Sequence, residues 1–530
     1  MNRQRDATTK DAKTTTHPTV RISATDFGPI ASGTIDLRPL TVFVGPSNTG
    51  KTYFAILIYA LHRILDGFPR LPVMHPYRYH FGEAIQYGKR IGTDVDMQEE
   101  ELHDVLEKLE TEERSFTFFD LPQGVRDAMQ AVLNNPELLA SFLRTELGRC
   151  FGLESISDLV RLTGVPNGMK VSLDVSQSNQ PLWHFGMGIS ENDMTANGQI
   201  EDMVLLSRGG SAMEFRRRFN PLRELFKEKI ELGSEWEHGY MMGEFFSELL
   251  YAAASNDESG TYYLPAARSG IMQSHRVIAS SLVARSTRGG LERFPELPTF
   301  SGVMVDFMQR LILYEEDRSS DDLMRNLADI LERDVLSGRI RTKRPLTGGY
   351  PEFVYQPRDM KKNIRLTRAS SMVSELAPIV LFLRDTIERN DMLIIEEPEA
   401  HLHPAAQTEM AKTLGRLVRA GVRVMVTTHS DWLLKEIGNL VREGELKDKT
   451  GQPDSEDLLL SSLLPSDVGV WQFRKGETSK GTTVVEIPYD RIEGVEPEEY
   501  EYVTEGLYNR SADLQNQLAE TAGRSKYRHE

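Results

Sequence analysis

Short apolar blocks set off by turn residues open the patterned part of the chain. VRISATDF, GTIDL and LTVFVG predict three strands between Val20 and Val44, with the turn-prone GPIAS between the first two. The period then changes: Phe54, Ile58, Leu61 and Ile64 stand at helical spacing and predict a helix over 51–65. From about 66 to 205 the pattern is helical and charge-laced, as in DMQEEELHDVLEKLETEER and PELLASFLRTELGRCF, with KVSLDVS as a strand. Residues 214–255 continue helically, and no sustained heptad supports a long coiled-coil arm.

Further on, YYLPAARSG (262–270) predicts a strand ending in a loop, 300–336 a helical segment, and 339–368 hairpin material rich in Arg and Lys. A helix over 371–389 precedes a short apolar strand over 391–395. Pro404 suits the first turn of an amphipathic helix, with Met410, Leu414 and Leu417 on one face and Gly421 just past its end. VRVMVTTH (422–429) predicts another buried strand, and strand, helix, strand without a hairpin implies a right-handed parallel crossover. DLLLSSLLP, VGVWQF, TTVVEIPYD and GVEPEEYEYVTEGLY predict closing strands and a helix. The organisation expected is therefore α/β: a mixed-sheet domain in two parts, 19–65 and 256–510, and an inserted mainly helical lobe over 66–255. Outside these lie a disordered tail over 1–18 and a flexible tail over 511–530.

Composition narrows this picture. A chain of 530 residues exceeds one compact core, and 39% hydrophobic with 27% charged residues fits a globular protein. The net charge of -17 argues against a surface coated in positive charge for indiscriminate DNA binding, so a nucleic-acid role must be local. Two runs offer themselves: Arg341, Lys343, Arg344, Lys361, Lys362, Arg365 and Arg368, and the triplet Arg216 to Arg218. The bland reading is a solvated face; the other is contact with DNA phosphates. Cys150 is the only cysteine, which excludes an intrachain disulfide and a multi-thiolate zinc site, and it reads as a small buried residue. The first sixteen residues are polar and do not resemble a signal peptide, and no apolar run approaches the ~20 residues of a membrane helix. The expected location is the cytoplasm, with no membrane partner.

Two motifs carry chemistry. Gly45, Pro46, Ser47, Asn48, Thr49, Gly50, Lys51 and Thr52 match the phosphate-loop pattern in full, between a predicted strand and a predicted helix. Glycines let backbone N–H groups curl around phosphate oxygens, and the helix N-terminus adds its dipole. Lys51 is placed to reach the terminal phosphates of ATP, and the Thr52 hydroxyl to hold Mg2+. The second motif is MLIIEEPEAHLHP (392–404), which by itself reads as a Glu/His metal cluster or as the acidic end of a nucleotide site. With the phosphate loop in view, Glu396 becomes the magnesium-side acid and Glu397 the general base for water. His429 ends the next strand, where a side chain can reach the γ-phosphate. His401 and His403 are then demoted from zinc ligands.

GPSNTGKT, LIIEEPEAHLHP and VTTHS together resemble the ABC-type ATPase heads of the SMC, RecF and OLD (overcoming lysogenization defect) families. The likeness covers about 20–65 and 260–510. It implies a P-loop ABC-type head of mixed sheet and helices that dimerises around two ATP molecules. Lys51 and Thr52 then take the phosphate-loop roles, Glu396 the magnesium side, Glu397 the catalytic glutamate and His429 the switch histidine. A signature serine from the opposite subunit is expected at Ser370 or Ser371 in RASSMVSELAP, which lacks the usual glycines; both equally suit a helix cap. Gln86 and Gln273 are weak options for a magnesium-sensing glutamine, and Arg268 for a nucleotide or partner contact. No Asp-x-Asp follows an apolar strand after His429, so no fused nuclease is expected. The resemblance implies a homodimer, or an oligomer of dimers, serving bacterial genome maintenance or antiphage defence. The effector would be a separate protein; the alternatives are a repair ATPase acting directly on DNA and a non-hydrolysing ATP-gated scaffold.

Overall fold

The computed structural model describes residues 18–65, 105, 108, 116–134, 136–162, 168–178, 180–190, 193–201, 204–206, 260–288, 300–316, 321–343, 350–450, 461–476, 481–492, 494–495 and 497–526. The expected tail over 1–17, Gln86 and the Arg216 to Arg218 triplet lie outside them. The chain divides into two compact units, one of 1–37 with 56–261 and the other of 38–55 with 262–530.

In chain order the strands and helices used below are β1 (Thr19–Phe27), β2 (Ile30–Leu37), β3 (Leu40–Val44), α1 (Lys51–Ile64), α2 (Gln123–Leu133), α3 (Pro136–Phe151), β4 (Met169–Gln177), β5 (Gln180–Ser190), β6 (Asp193–Ile200), β7 (Thr261–Leu264) and α4 (Arg268–Arg288). They continue with α5 (Gly302–Ile312), α6 (Asp322–Leu331), β8 (Gly338–Lys343), β9 (Glu352–Pro357), α7 (Ser371–Asp385), β10 (Met392–Glu396), α8 (Pro404–Arg419), β11 (Arg423–Thr427), α9 (Asp431–Thr450), β12 (Val468–Lys475), β13 (Thr482–Ile487) and α10 (Glu498–Lys526).

The first unit is an antiparallel meander in the order β6-β5-β4-β1-β2. Its register sets Val20 against Val175, Ile22 against Leu173 and Ala24 against Val171, so one apolar face alternates cleanly with a polar one. Helix α2 is tied to β6 through side-chain amides: the Gln130 and Asn134 oxygens accept from the Ile200 and Gly198 N–H groups. Cys150 is buried in α3 beside Glu146, as a small residue should be.

The described residues within the lobe expected as mainly helical over 66–255 are of mixed character, while most of the helical run expected over 96–114 and all of 214–255 lie outside them. The described part holds two helices but also three long strands, and β1 and β2 fall with those strands rather than with the phosphate loop. KVSLDVS falls within β4 as expected, whereas in β5 and β6 Gly186, Gly188, Asn197 and Gly198 interrupt the apolar alternation. A Cβ on Gly186 would come within 2.7 Å of the Asn197 side-chain oxygen, so a larger residue there requires that side chain to move.

The second unit sets β12, β3, β11 and β10 side by side and parallel, with β13 antiparallel on the outer edge of β12 and β7 next to β10. Val42 of β3 pairs in register with Val426 of β11 and Val470 of β12, and Glu396 of β10 with Thr427 of β11. The strands read as unbroken apolar runs because both faces are covered, as parallel sheets require. Leu376 and Val380 of α7, Leu414 of α8 and Ile437 of α9 join Val42, Ile395 and Val424 in one core. Helix α8 starts with Pro404 and ends before Gly421, whose φ of 89° suits the left-handed position past a helix end. The segment after β7 was expected as a loop; instead α4 begins at Arg268. Residues 511–526, expected as a flexible tail, continue α10.

Helix α9 shows how tightly this unit is packed. A Cβ on Gly444 would stand 1.9 Å from the Leu463 carbonyl oxygen, which is backbone and cannot swing aside. Gly444→Ala is expected to cost about 1–3 kcal/mol through forced backbone shift, despite the better helix propensity of alanine. The urea midpoint of the variant checks this, and an unchanged or higher midpoint contradicts it.

Candidate functional site

The phosphate loop leaves β3 through Gly45, whose φ is 132° and where a Cβ would lie 2.5 Å from the Phe473 carbonyl oxygen. Only glycine fits both conditions. Asn48 and Gly50 also take left-handed geometry, at 62° and 99°. The loop is closed by the buried Thr49, whose hydroxyl donates to the Pro46 carbonyl at 2.8 Å. Lys51 is buried at the start of α1, and its ammonium donates to the Gly45 and Pro46 carbonyls at 2.8 Å each. Thr52, next along, is exposed, as are Ser47 and Asn48. Beneath the loop Phe43, Phe54 and Phe473 pack with ring centroids 5.1–6.2 Å apart, which fixes the strand-to-helix exit.

Because β11 lies between β3 and β10, three strand ends open side by side: Val44 into the loop, Thr427 toward His429, and Glu396 into Glu397. Sheet C-terminal ends are where α/β folds bind ligands. Glu396 is 7% exposed; its Oε1 accepts from the Tyr263 hydroxyl at 2.6 Å and its Oε2 from the Ala266 N–H at 2.8 Å. Glu397 takes φ of 43°, uncommon for a residue with a side chain, and its N–H donates to the Thr427 carbonyl at 2.9 Å. Its carboxylate reaches to 3.9 Å from His429 Nε2.

Arg268 holds this turn in place. The guanidinium is fully buried and donates to the carbonyls of Glu396 at 2.5 Å and Glu397 at 2.9 Å, while Nε pairs with the Glu375 carboxylate at 3.1 Å. Burial lowers its pKa, and the negative charges of Glu375, Glu399, Glu396 and Glu397 pull the other way. The surface or nucleotide contact expected for Arg268 is thus replaced by an internal clamp on the acidic turn. The segment that carries it, YYLPAARSG, was visible in the sequence, but nothing there says which carbonyls an arginine will find.

Glu399 is a second residue that sequence reasoning passed over. Its Oε1 accepts from the Thr428 hydroxyl and from the His429 N–H, both at 2.7 Å, and so ties the acidic turn to the end of β11. Burial raises its pKa against those two donors. The Ser430 hydroxyl donates to the Gln407 side-chain oxygen at 2.6 Å, anchoring the next step of the same loop to α8.

Other expected residues fall elsewhere. Ser370 is the N-cap of α7, its oxygen accepting from the Val373 N–H at 3.4 Å, and Ser371 is the first helical residue; both are exposed. No hydrogen bond joins either to the phosphate loop. Gln273 donates to Ser374 at 3.2 Å, on α7 and not at the loop. His403 caps α8, accepting from the Ala405 N–H, and His401, at φ of 59°, stands 3.9 Å from Glu375. Among the described residues no group of three or more His, Cys, Asp or Glu could hold a metal ion. For magnesium, Glu396 and Thr52 both offer hard oxygen atoms, the donor type that ion prefers. In the basic run Arg339, Arg341 and Lys343 are exposed on alternate positions of β8, and Arg365 pairs with Glu352 at 3.0 Å.

A parallel sheet whose strand β3 runs through a phosphate loop into a helix, with paired glutamates and a histidine on the two neighbouring strand ends, is an α/β P-loop ATPase fold. Residues 311–434, which include Glu396, Glu397 and His429, match the protein-family model AAA_15, described as an AAA ATPase domain. No curated protein matches the chain. Among solved structures the chain is similar to an SMC head bound to the C-winged helix domain of ScpA, at 10% identity over 88% of this chain and 97% of that one, with a TM-score of 0.39. It is also similar to the SMC head with an extended coiled coil bound to the C-terminal domain of ScpA from Pyrococcus furiosus, at 11% identity, 93% and 100% coverage, and TM-score 0.35. The SMC head domain from Thermotoga maritima follows at 9%, 88% and 98%, and 0.31. At these values the chemistry rests on the residues above. No helix among the described residues is long and apolar enough to cross a membrane.

Two outcomes follow from the geometry. Arg268→Ala leaves Glu375 buried without its cation and the two carbonyls without their donor, so a loss of about 3–5 kcal/mol is expected; a thermal midpoint equal to that of wild type contradicts the clamp. His429 titrates below its ordinary 6.5 because burial comes first, the Lys51 charge second, and Glu397 only partly opposes them. The folded state therefore favours the neutral imidazole more than the unfolded chain does. That contribution is complete above the unfolded value and is lost as pH falls through the lowered one. Between about pH 7 and pH 5 wild type should lose more stability than His429→Gln, and identical slopes of midpoint against pH would refute the assignment.

Proposed function

We propose that the second unit binds ATP at Gly45–Thr52 and hydrolyses it, and that the chain works as a homodimer controlling a separate effector. What carries this reading is one arrangement: Lys51, His429, Glu396 and Glu397 meet at three adjacent strand ends, with Glu397 and His429 3.9 Å apart. The loop N–H groups and the Lys51 ammonium hold the phosphates. Thr52 and Glu396 would hold magnesium, which when bound neutralises charge on the phosphate oxygens. Tyr263 and Ala266 fix the Glu396 carboxylate from behind, leaving its remaining lone pairs for that task.

Glu397, half-exposed and held by its backbone on both sides, takes a proton from water. His429 stays neutral at pH 7 and offers a hydrogen bond beside Lys51 without adding a competing positive charge. Ser370 and Ser371 stand at an exposed helix start, where N–H groups favour anions, and we assign them to the nucleotide held by the opposite copy. Control of a separate effector such as a nuclease, in bacterial antiphage defence, rests on the family resemblance of the motifs.

Phosphate release by purified chain tests the core of this reading. Glu397→Gln should slow turnover by about 100-fold or more while nucleotide binding persists, whereas Lys51→Ala should lose binding itself. Equal release rates for wild type and Glu397→Gln would overturn hydrolysis at this site and leave a nucleotide-gated scaffold.

A further inference from the structure

Helix α10 is exposed nearly all round between Tyr502 and Ala519, its apolar residues included. Val503, Leu507, Leu514 and Leu518 are 57%, 63%, 49% and 69% exposed. At about 100° per residue all four fall within about 60° of arc, one stripe running ~22 Å along the helix. The stripe has an unusual property: its steps are four, seven and four residues, the same from either end, with the midpoint between Arg510 and Ser511.

An apolar spacing that reads alike in both directions suits an antiparallel two-fold contact, in which residue i meeting j means that j also meets i, because apolar residues then fall on apolar residues. Reversed about that midpoint, Val503 of one copy lies level with Leu518 of a second copy, and Leu507 with Leu514. The flanking charges agree with this direction. Arg510 and Asp513 are exposed on the same side of the stripe. Reversal brings the same flank of both copies together and sets Arg510 of one copy close to Asp513 of the other, twice by symmetry, whereas a parallel pair would place these flanks on opposite sides of the contact and lose both pairs.

We propose that α10 is a self-association surface that pairs antiparallel with α10 of a second copy. The contact is independent of the nucleotide-dependent dimer proposed above: it uses no residue of the phosphate loop or the acidic turn. It gives each chain a second way of meeting its own kind.

The test uses cysteine placement in the full-length chain, whose native Cys150 is buried. Leu507→Cys and Leu514→Cys are made as separate variants, expressed singly and together, and oxidised without nucleotide. Disulfide-linked dimer should appear on co-expression and be absent from each variant alone, and the same should hold in a Lys51→Ala background. Linked dimer from Leu507→Cys alone would show a parallel pair and overturn the proposal. So would no linked dimer on co-expression, the result expected if another protein or nothing covers the stripe. Loss of ATP binding in Lys51→Ala with cross-linking retained separates this contact from the proposed catalytic site.

Discussion

A single buried guanidinium organises the acidic end of this site. Arg268 spends its donors on the carbonyls of Glu396 and Glu397 and on Glu375, so its charge is met by backbone dipoles and one carboxylate rather than by water. Burying such a charge is tolerable only when nearly every donor finds an acceptor. The arrangement in turn forces the chain after β10 to turn with its carbonyls facing inward, which throws the Glu397 side chain outward. The left-handed backbone at Glu397 belongs to that same turn. The position of β7 next to β10 follows the same logic, since Tyr263 and Ala266 of that segment also orient Glu396.

Strand order supplies the other half. With β11 between the loop strand and the acidic strand, the end of β11 is the shortest bridge from Lys51 to Glu397, and His429 occupies it. Glu399 then fastens that bridge to the acidic turn through Thr428 and the His429 N–H. Histidine and acidic turn are thereby parts of one hydrogen-bonded frame rather than independent groups.

Much of this frame was legible in the sequence, and the parts that were not share a cause. The phosphate loop, β10, α8 and β11 could be read because local rules specify them: a fixed glycine spacing, an apolar run too short for a helix, a proline at a first turn and a glycine past a last one. The Arg268 clamp and the Glu399 tie could not, because both depend on which carbonyls and N–H groups a fold brings near from more than a hundred or about thirty residues away. Strands β5 and β6 were hidden by glycine and asparagine at positions where packing against a neighbouring strand, not propensity, decides. The tail over 511–526 was hidden by its polarity, which belongs to an exposed helix as much as to a coil.

The Glu397 peptide is gripped from both directions, its N–H by the Thr427 carbonyl and its carbonyl by Arg268. Its main chain therefore has no freedom left to lose, and only rotations about the side-chain bonds remain. Fixing a backbone residue costs about 1–2 kcal/mol, and here that cost is met when the protein folds. Under the proposed chemistry the carboxylate then needs only a rotamer change to reach its water, so the turn acts as a pre-aimed mount whose alignment does not have to be rebuilt in each cycle.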